Sequence, residues 1–263
     1  MIVESSRDAD GIRTITLNRP PANAINFAMM HAIRDAFDEA SADWQTRVVI
    51  LQSSSPKFFS GGWDVKESYP EPETLPDAVP RYGSRMAREV FRAIYECGAP
   101  VIAKVRGIAA GAGFLYACLA DFAVCSPKAS FGQFEMKIGG VGGAGIVRRM
   151  MSEQAMRYLT WSAELVGVEE LKALGAGAKI VADADLDAEV AALARRLAGR
   201  DPRVTRHGKY AFNQVERLGP LEAYAVEQMH SLLLADAPPA GSTHLQPDHV
   251  RHPAAALAPA PQR

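Results

Sequence analysis

The sequence predicts an α/β layered fold, and three features predict it. Strand-type and helix-type apolar spacing alternate along the first two-thirds of the chain. Arg47 to Gln52 (RVVILQ) is apolar almost throughout over a strand's length, as in a parallel sheet covered on both faces. Two glycine-bearing turns, in KFFSGGWD and GIAAGAGF, follow strand-type runs, and in a parallel sheet such turns gather at one edge, where ligands bind.

In chain order, Ile2 to Ser6 and Ile12 to Leu17 read as strands joined by the turn residues Asp8, Ala9, Asp10 and Gly11, hence a hairpin. NRPPANAIN breaks the chain at Pro20 and Pro21. From Phe27 to Ala42, Met30, Ile33, Phe37 and Ala40 recur at helical spacing. The strand RVVILQ is followed by the glycine loop SSSPKFFSGGWDVKE. Tyr69 to Pro80 reads as an irregular proline-rich loop, and a helix is expected over Ser84 to Tyr95 with Met86, Val90, Phe91 and Ile94 on one stripe. Val101 to Val105, Phe114 to Ala120 and Phe122 to Val124 repeat strand, helix and strand. Beyond Gly145 the spacing turns helical over Ile146 to Leu159, Val168 to Leu174, Leu186 to Ala198 and Val204 to Arg217, with a β-like run at Ala178 to Val181. The expected organisation is a core over residues 1–200, a C-terminal helical region over 201–237 and a disordered Pro/Ala-rich tail over 238–263.

Bulk composition excludes some functions. With 263 residues, 48% hydrophobic, 22% charged and a formal net charge of -1, nothing favours nucleic acid or a membrane surface through bulk electrostatics. Cys97, Cys118 and Cys125 are odd in number, apolar in context and without metal-ligand spacing, so they read as buried thiols of a reducing compartment. The N-terminus lacks a signal-peptide pattern and no window is apolar enough to span a bilayer, so a soluble cytoplasmic protein is expected. The tail's histidines have no accompanying ligands, and no metal site is expected.

The chemistry concentrates between Lys104 and Met150. A strand-type run leads through Gly107, Gly111 and Gly113 into a helix, and free N–H groups at a helix N-terminus favour negative charge. Glu135 is the lone acid between Phe122 and Met150. One such turn is also what ordinary tight packing uses; two after parallel strands, with a carboxylate nearby, point to a ligand.

Four stretches carry a resemblance: NRPPANAI, KFFSGGWDVKE, VRGIAAGAGFLYACLADFAV and SFGQFEMKIGGVGGAGIVRRM. Together with WSAELVGVEELKALGAGAKIV they make the chain, from about Ile2 to Ala235, resemble the enoyl-CoA hydratase/isomerase (crotonase) superfamily. The resemblance implies a crotonase-like spiral of βαβ units, a C-terminal helical trimerisation region, and a homotrimer or hexamer. It implies an acyl-CoA thioester as substrate, with coenzyme A entering as part of it and no separate cofactor.

By position, the resemblance makes the backbone N–H groups of Trp63 and Ala112 an oxyanion hole. It assigns coenzyme A contacts to Ala22, Ala24, Lys57, Asp64, Val65 and Lys66, with Asp64 alternatively a helix cap and the lysines alternatively solvated charges. Tyr82, Leu115, Tyr116 and Phe134 fall where an acyl pocket is expected. Leu115 stands in place of the first catalytic glutamate of the family's hydratases and Glu135 in place of the second. A leucine moves no proton, and acid–base assistance is typically worth 10²–10⁴-fold, so a one-carboxylate reaction is expected: isomerisation of an enoyl-CoA with Glu135 as both base and acid.

Alternatives are an atypical hydratase, a decarboxylase or carbon–carbon bond-forming member, and an inert acyl-CoA-binding paralogue. Tyr82 and Tyr116 read as proton donors or, preferably, as packed rings with satisfied hydroxyls. Departures from the family's pattern are the bulk of Trp63, Phe134 and Gly142 where prolines are common, and a missing C-terminal helix with a basic end.

Overall fold

The computed structural model describes residues 1–68 and 78–236. The strands are β1 (Val3–Arg7), β2 (Ile12–Leu17), β3 (Val48–Ser53), β4 (Phe58–Ser60), β5 (Val101–Val105), β6 (Ile108–Ala110), β7 (Phe122–Cys125), β8 (Ser130–Gly132), β9 (Leu165–Gly167) and β10 (Lys179–Ile180). The helices are α1 (Phe27–Ala42), α2 (Val65–Ser68), α3 (Ala78–Tyr95), α4 (Ala112–Leu119), α5 (Ala144–Val147), α6 (Glu153–Ser162), α7 (Val168–Ala173), α8 (Leu186–Ala198), α9 (Pro202–Val215) and α10 (Pro220–Asp236). A 3-10 turn, Glu135–Ile138, follows β8.

Two sheets organise the described residues. The larger is six-stranded, in the order β1-β2-β3-β5-β7-β10; the smaller is four-stranded, in the order β4-β6-β8-β9. Only β1 is antiparallel in the first, as the Asp8–Gly11 turn requires, and Asp8 Oδ1 accepts from the Asp10 and Ile12 N–H groups to close that turn. Three times in succession the chain lays a strand in the large sheet and then one in the small: β3 then β4, β5 then β6, β7 then β8. This winding makes β4, β6 and β8 parallel neighbours.

The alternating side chains of β3 explain its unbroken apolar run. Val49 and Leu51 join the main core with Ile33 and Phe37 of α1, Val90 and Ile94 of α3, and Phe114 of α4. Val48 and Ile50 face the other way, into a second cluster closed by Leu186, Val190 and Ala194 of α8. With both faces covered from Val48 to Leu51, none of these four positions faces water, hence no period-two pattern. Cys97, Cys118 and Cys125 are all free and buried, and burial pushes the Cys125 thiol up to about 12. No helix among the described residues is long and apolar enough to cross a membrane.

Several boundaries differ from expectation. The small sheet was not foreseen, because strands of three residues are shorter than one readable alternation and exist through their pairing. Helix α3 starts at Ala78 rather than Ser84, Pro80 falling in its first turn, where a missing N–H costs nothing. Of the expected loop over Tyr69 to Pro80, residues 69–77 lie outside the described part, as does the expected tail over 238–263. The helix expected over Ile146 to Leu159 is two, parted where the Ser152 hydroxyl accepts from the Ala155 N–H and starts α6 afresh. Helix α4 begins two residues early, at Ala112, and α10, which falls inside the expected helical region over 201–237, had no bounds of its own in the sequence, because its apolar residues surround the helix instead of forming a stripe. No basic residue lies in its last turn.

Candidate active site

The site lies where three neighbouring strands end. Strand β4 runs into Gly61, Gly62 and Trp63; β6 runs into Gly111 and the first residue of α4, Ala112; β8 runs into Gln133, Phe134 and Glu135. Because these strands are parallel neighbours, their carboxyl ends bring together residues over seventy positions apart, at the kind of edge where α/β sheets hold ligands.

Contacts too tight for side chains press the first two turns together. Gly62 has φ +89, and a Cβ there would stand 2.9 Å from the Ala110 carbonyl oxygen and 3.4 Å from Gly111 Cα. Gly111 has φ +49, another conformation open mainly to glycine. At Gly113 a Cβ would lie 2.7 Å from both Cβ and the carbonyl oxygen of Ser60, so α4 rests directly on β4.

Backbone bonding leaves the two expected donors unspent. Ile25 donates to the Gly62 carbonyl (2.8 Å) and accepts from the Asp64 N–H (2.9 Å), so the groups flanking Trp63 hold the bridge between Ile25 and Trp63. Among the described residues the Trp63 N–H has no acceptor, nor does that of Ala112, the first residue of a helix whose amino-terminal N–H groups have no intrahelical partner. The positive end of the α4 dipole favours an oxyanion there.

Glu135 completes the constellation. Its Oε1 lies 3.3 Å from where a Cβ on Gly111 would be, while its Oε2 is buried with no hydrogen-bond partner among the described residues. Burial raises its carboxyl above the ordinary range, against the opposing pull of the Glu135 and Phe134 N–H groups. The Gly140 N–H donates to the Glu135 carbonyl (2.7 Å), fixing the turn that presents the side chain.

Leu115 is buried against Gly143: a Cβ on that glycine would be 2.7 Å from Leu115 Cδ2 and 2.5 Å from Gln133 Nε2. Gln133 donates from Nε2 to the Gly142 carbonyl (3.0 Å), and its Oε1 is buried without a partner. The Trp63 ring packs in a box with Phe91 (6.0 Å between centroids) and Tyr116 (6.4 Å, edge-on).

Tyr116 is wholly buried, yet its hydroxyl has no partner among the described residues, contrary to the expected satisfied phenol. Leaving a buried hydroxyl unpaired costs on the order of 1–3 kcal/mol. Phe134 turns its ring over Gly132, beneath the Lys137 ammonium 5.7 Å from its centroid. The Tyr82 side chain lies outside the described part. A groove of about 840 Å³ adjoins the site, sharing Phe91 and Gly143 with it and lined beyond them by Tyr95, Ile146 and Arg149.

The remaining expected contacts surround the first turn. The Ala22 carbonyl accepts from the Gly61 N–H (2.7 Å) and the Ala24 carbonyl from Arg19 (2.7 Å). Asp64 caps α2 through the Glu67 N–H (3.3 Å) and pairs with Arg19 (2.8 Å). Val65, Lys66 and Lys57 are exposed, and neither lysine is ion-paired among the described residues. Sequence reasoning missed Asn23, which organises this loop. At φ +49 and fully buried, it donates to Ser53 Oγ (2.7 Å) and the Phe59 carbonyl (3.1 Å), and its own carbonyl accepts from Ser60 Oγ (2.8 Å). An asparagine between two alanines after two prolines was the available signal, since asparagine tolerates the left-handed region. Among the described residues no group of three or more His, Cys, Asp or Glu is placed to hold a metal ion.

Known proteins share this arrangement's frame. A family model described as "Enoyl-CoA hydratase/isomerase" matches residues 7–236. A protein of Rhodococcus jostii named "(7aS)-7a-methyl-1,5-dioxo-2,3,5,6,7,7a-hexahydro-1H-indene-carboxyl-CoA hydrolase" is 31% identical, with 89% of each chain covered. Its namesake in Mycobacterium tuberculosis is 33% identical over 87% of this chain and 91% of its own. Carnitinyl-CoA dehydratase of Escherichia coli K12 is 33% identical over 81% of each. Among solved structures, an enoyl-CoA hydratase of Mycobacterium smegmatis superposes with a TM-score of 0.83 at 28% identity, covering 90% of this chain and 92% of that one.

Proposed function

Because the chain belongs to the enoyl-CoA hydratase/isomerase (crotonase) family, we propose that it is an acyl-CoA enzyme stabilising a thioester enolate, and that it isomerises an enoyl-CoA. One observation carries this reading: among the described residues one carboxylate with a buried, unpartnered oxygen, Glu135 Oε2, stands beside the two glycine turns, while Leu115 stands where the resemblance puts a second.

In the proposed reaction the thioester oxygen accepts from the Trp63 and Ala112 N–H groups. Glu135 removes a proton from the carbon next to the thioester carbonyl in a 3-enoyl ester, and the electron pair delocalises onto the oxygen. The same carboxyl then returns the proton at the far end of the conjugated system, moving the double bond to the 2-position with no net gain or loss of atoms. A donor fixed in advance at the oxyanion is worth about 2.7–4 kcal/mol. The raised affinity of Glu135 for its proton suits a group that must act as acid after acting as base. No cofactor is required beyond the coenzyme A carried by the substrate. Lys57 and Lys66, exposed beside the first turn, are proposed to meet its phosphates.

A second reading, hydrolysis of a ring-bearing acyl-CoA, is favoured by identities of 31% and 33% to two proteins named as carboxyl-CoA hydrolases. In it Glu135 would take a proton from water as the water oxygen bonds to a carbonyl carbon of the acyl-CoA; the bond from that carbon to the thioester sulfur or to its ring neighbour then breaks, and the leaving atom receives the proton. Incubation with 3-enoyl, 2-enoyl and cyclic keto acyl-CoA esters, followed by mass spectrometry and NMR, separates the two: isomerisation leaves mass unchanged, whereas hydrolysis adds water. If no ester is converted, both readings fall.

Exposed Tyr210 and Phe212 on α9 and Leu221, Tyr224, Leu232 and Leu233 on α10 support a homotrimer, or a hexamer made of two, assembled through this region.

A further inference from the structure

Packing alone needs only a phenyl ring at position 116. The Tyr116 ring fills the box against Trp63 and Phe91, with centroids 6.4 Å and 6.1 Å away and both contacts edge-on. Phe91 supplies such a ring in the same box, and Phe114 packs on Phe131 nearby without any hydroxyl. The phenol is fully buried, and its oxygen meets no donor or acceptor among the described residues. Native interiors seldom keep such a group unless something else satisfies it.

Its place is informative. Tyr116 follows Leu115 on α4, one helical turn beyond Ala112, and touches the ring of Trp63. Both proposed oxyanion donors are therefore its neighbours, one along its own helix and the other across the box.

We infer that the Tyr116 hydroxyl determines specificity by donating a hydrogen bond to a keto or hydroxyl oxygen on the acyl portion of the thioester, so that the substrates are oxygenated acyl-CoA esters rather than plain hydrocarbon ones. The inference rests on the acyl-CoA reading above. A carboxylate does not suit the box: the Trp63 and Phe91 rings offer it no cationic partner, and a buried unpaired charge is far costlier than a buried carbonyl. Burial also holds the phenol neutral, so it remains a donor at all working pH values. Gln133 Oε1, buried and also unpaired, is an acceptor beside Leu115 for a substrate hydroxyl.

The test is calorimetric titration of the full chain and of its Tyr116→Phe variant. The probes are hexanoyl-CoA and hexanoyl-CoA esters bearing one keto group at the fourth or the fifth carbon. The wild-type protein is expected to bind at least one keto ester roughly 2–10-fold more tightly than hexanoyl-CoA, the range of one hydrogen bond, and the variant to bind the two with a ratio near one. A wild-type protein without that preference overturns the inference, as does a preference that survives in the variant. If the esters bind without discrimination, only this inference falls; if none binds either protein, the acyl-CoA reading falls with it.

Discussion

Gly111 and Glu135 are so close that a methyl group on the glycine would stand 3.3 Å from the carboxylate's Oε1. The turn that presents one proposed oxyanion donor is thus also a wall of the proposed base's chamber. Gly111→Ala forces a side chain into a φ of +49 and crowds that wall. The expected cost is about 1–3 kcal/mol of stability, together with a loss of turnover larger than the melt alone explains. Urea denaturation and steady-state kinetics on the same preparation check this; a variant of wild-type stability and rate would show that the turn is not constrained.

Burial raises the Glu135 carboxyl above its ordinary 4.5, so the folded state holds the proton more tightly than the unfolded chain does. Its contribution to stability is therefore complete below 4.5 and is lost as pH rises through the raised value. As a base the group must be ionised, so kcat/KM should fall on the acid side around a pH above 4.5. Glu135→Gln should remove the matching decline from the stability curve. An acid limb at or below 4.5 would assign it to another group.

Leu115→Glu offers a gain-of-function test. The leucine packs where a Cβ on Gly143 would be 2.7 Å from it, and Gln133 Nε2 borders the same point. A carboxylate introduced there gains a neighbouring amide and gives the site two acids. Hydration of a 2-enoyl-CoA is expected to rise by at least about tenfold, a fraction of the 10²–10⁴-fold that acid–base assistance typically supplies. Absence of any rise in a folded variant would mean that the missing carboxylate does not limit hydration.

The apolar residues exposed on α9 and α10 predict assembly. Light scattering coupled to size exclusion should give the mass of three or six chains. A monomer at micromolar concentration would contradict the proposed arrangement.

What could be read in the sequence was whatever a single segment shows by itself. RVVILQ declared a strand buried on both faces, Phe27–Ala42 an amphipathic helix, and the glycines after two strands a pair of turns. Glu135 stood out as a lone acid, and the role proposed for it, with those proposed for Trp63 and Ala112, came through resemblance. What could not be read depends on partners distant in the chain. Strands β4, β6 and β8 have three residues each and are defined by one another, so the shared edge that brings Trp63, Ala112 and Glu135 together was inferred from turns without the sheet that holds them. Asn23 gave little local sign that it pins the first turn through Ser53, Phe59 and Ser60. Tyr116 looked like a core ring, and it is one; the unpaired oxygen is visible only once its surroundings are known.

The account depends most on Glu135 moving a carbon-bound proton while two main-chain N–H groups hold the charge. Its most direct test follows, by NMR in D₂O, exchange of the protons next to the thioester carbonyl of a bound acyl-CoA, for the wild-type protein and for Glu135→Gln. The account predicts exchange by the wild type and a rate about 10²–10⁴-fold lower in the variant, with thioester binding retained in both. Equal exchange in the two proteins, or none in the wild type with the thioester bound, would contradict it.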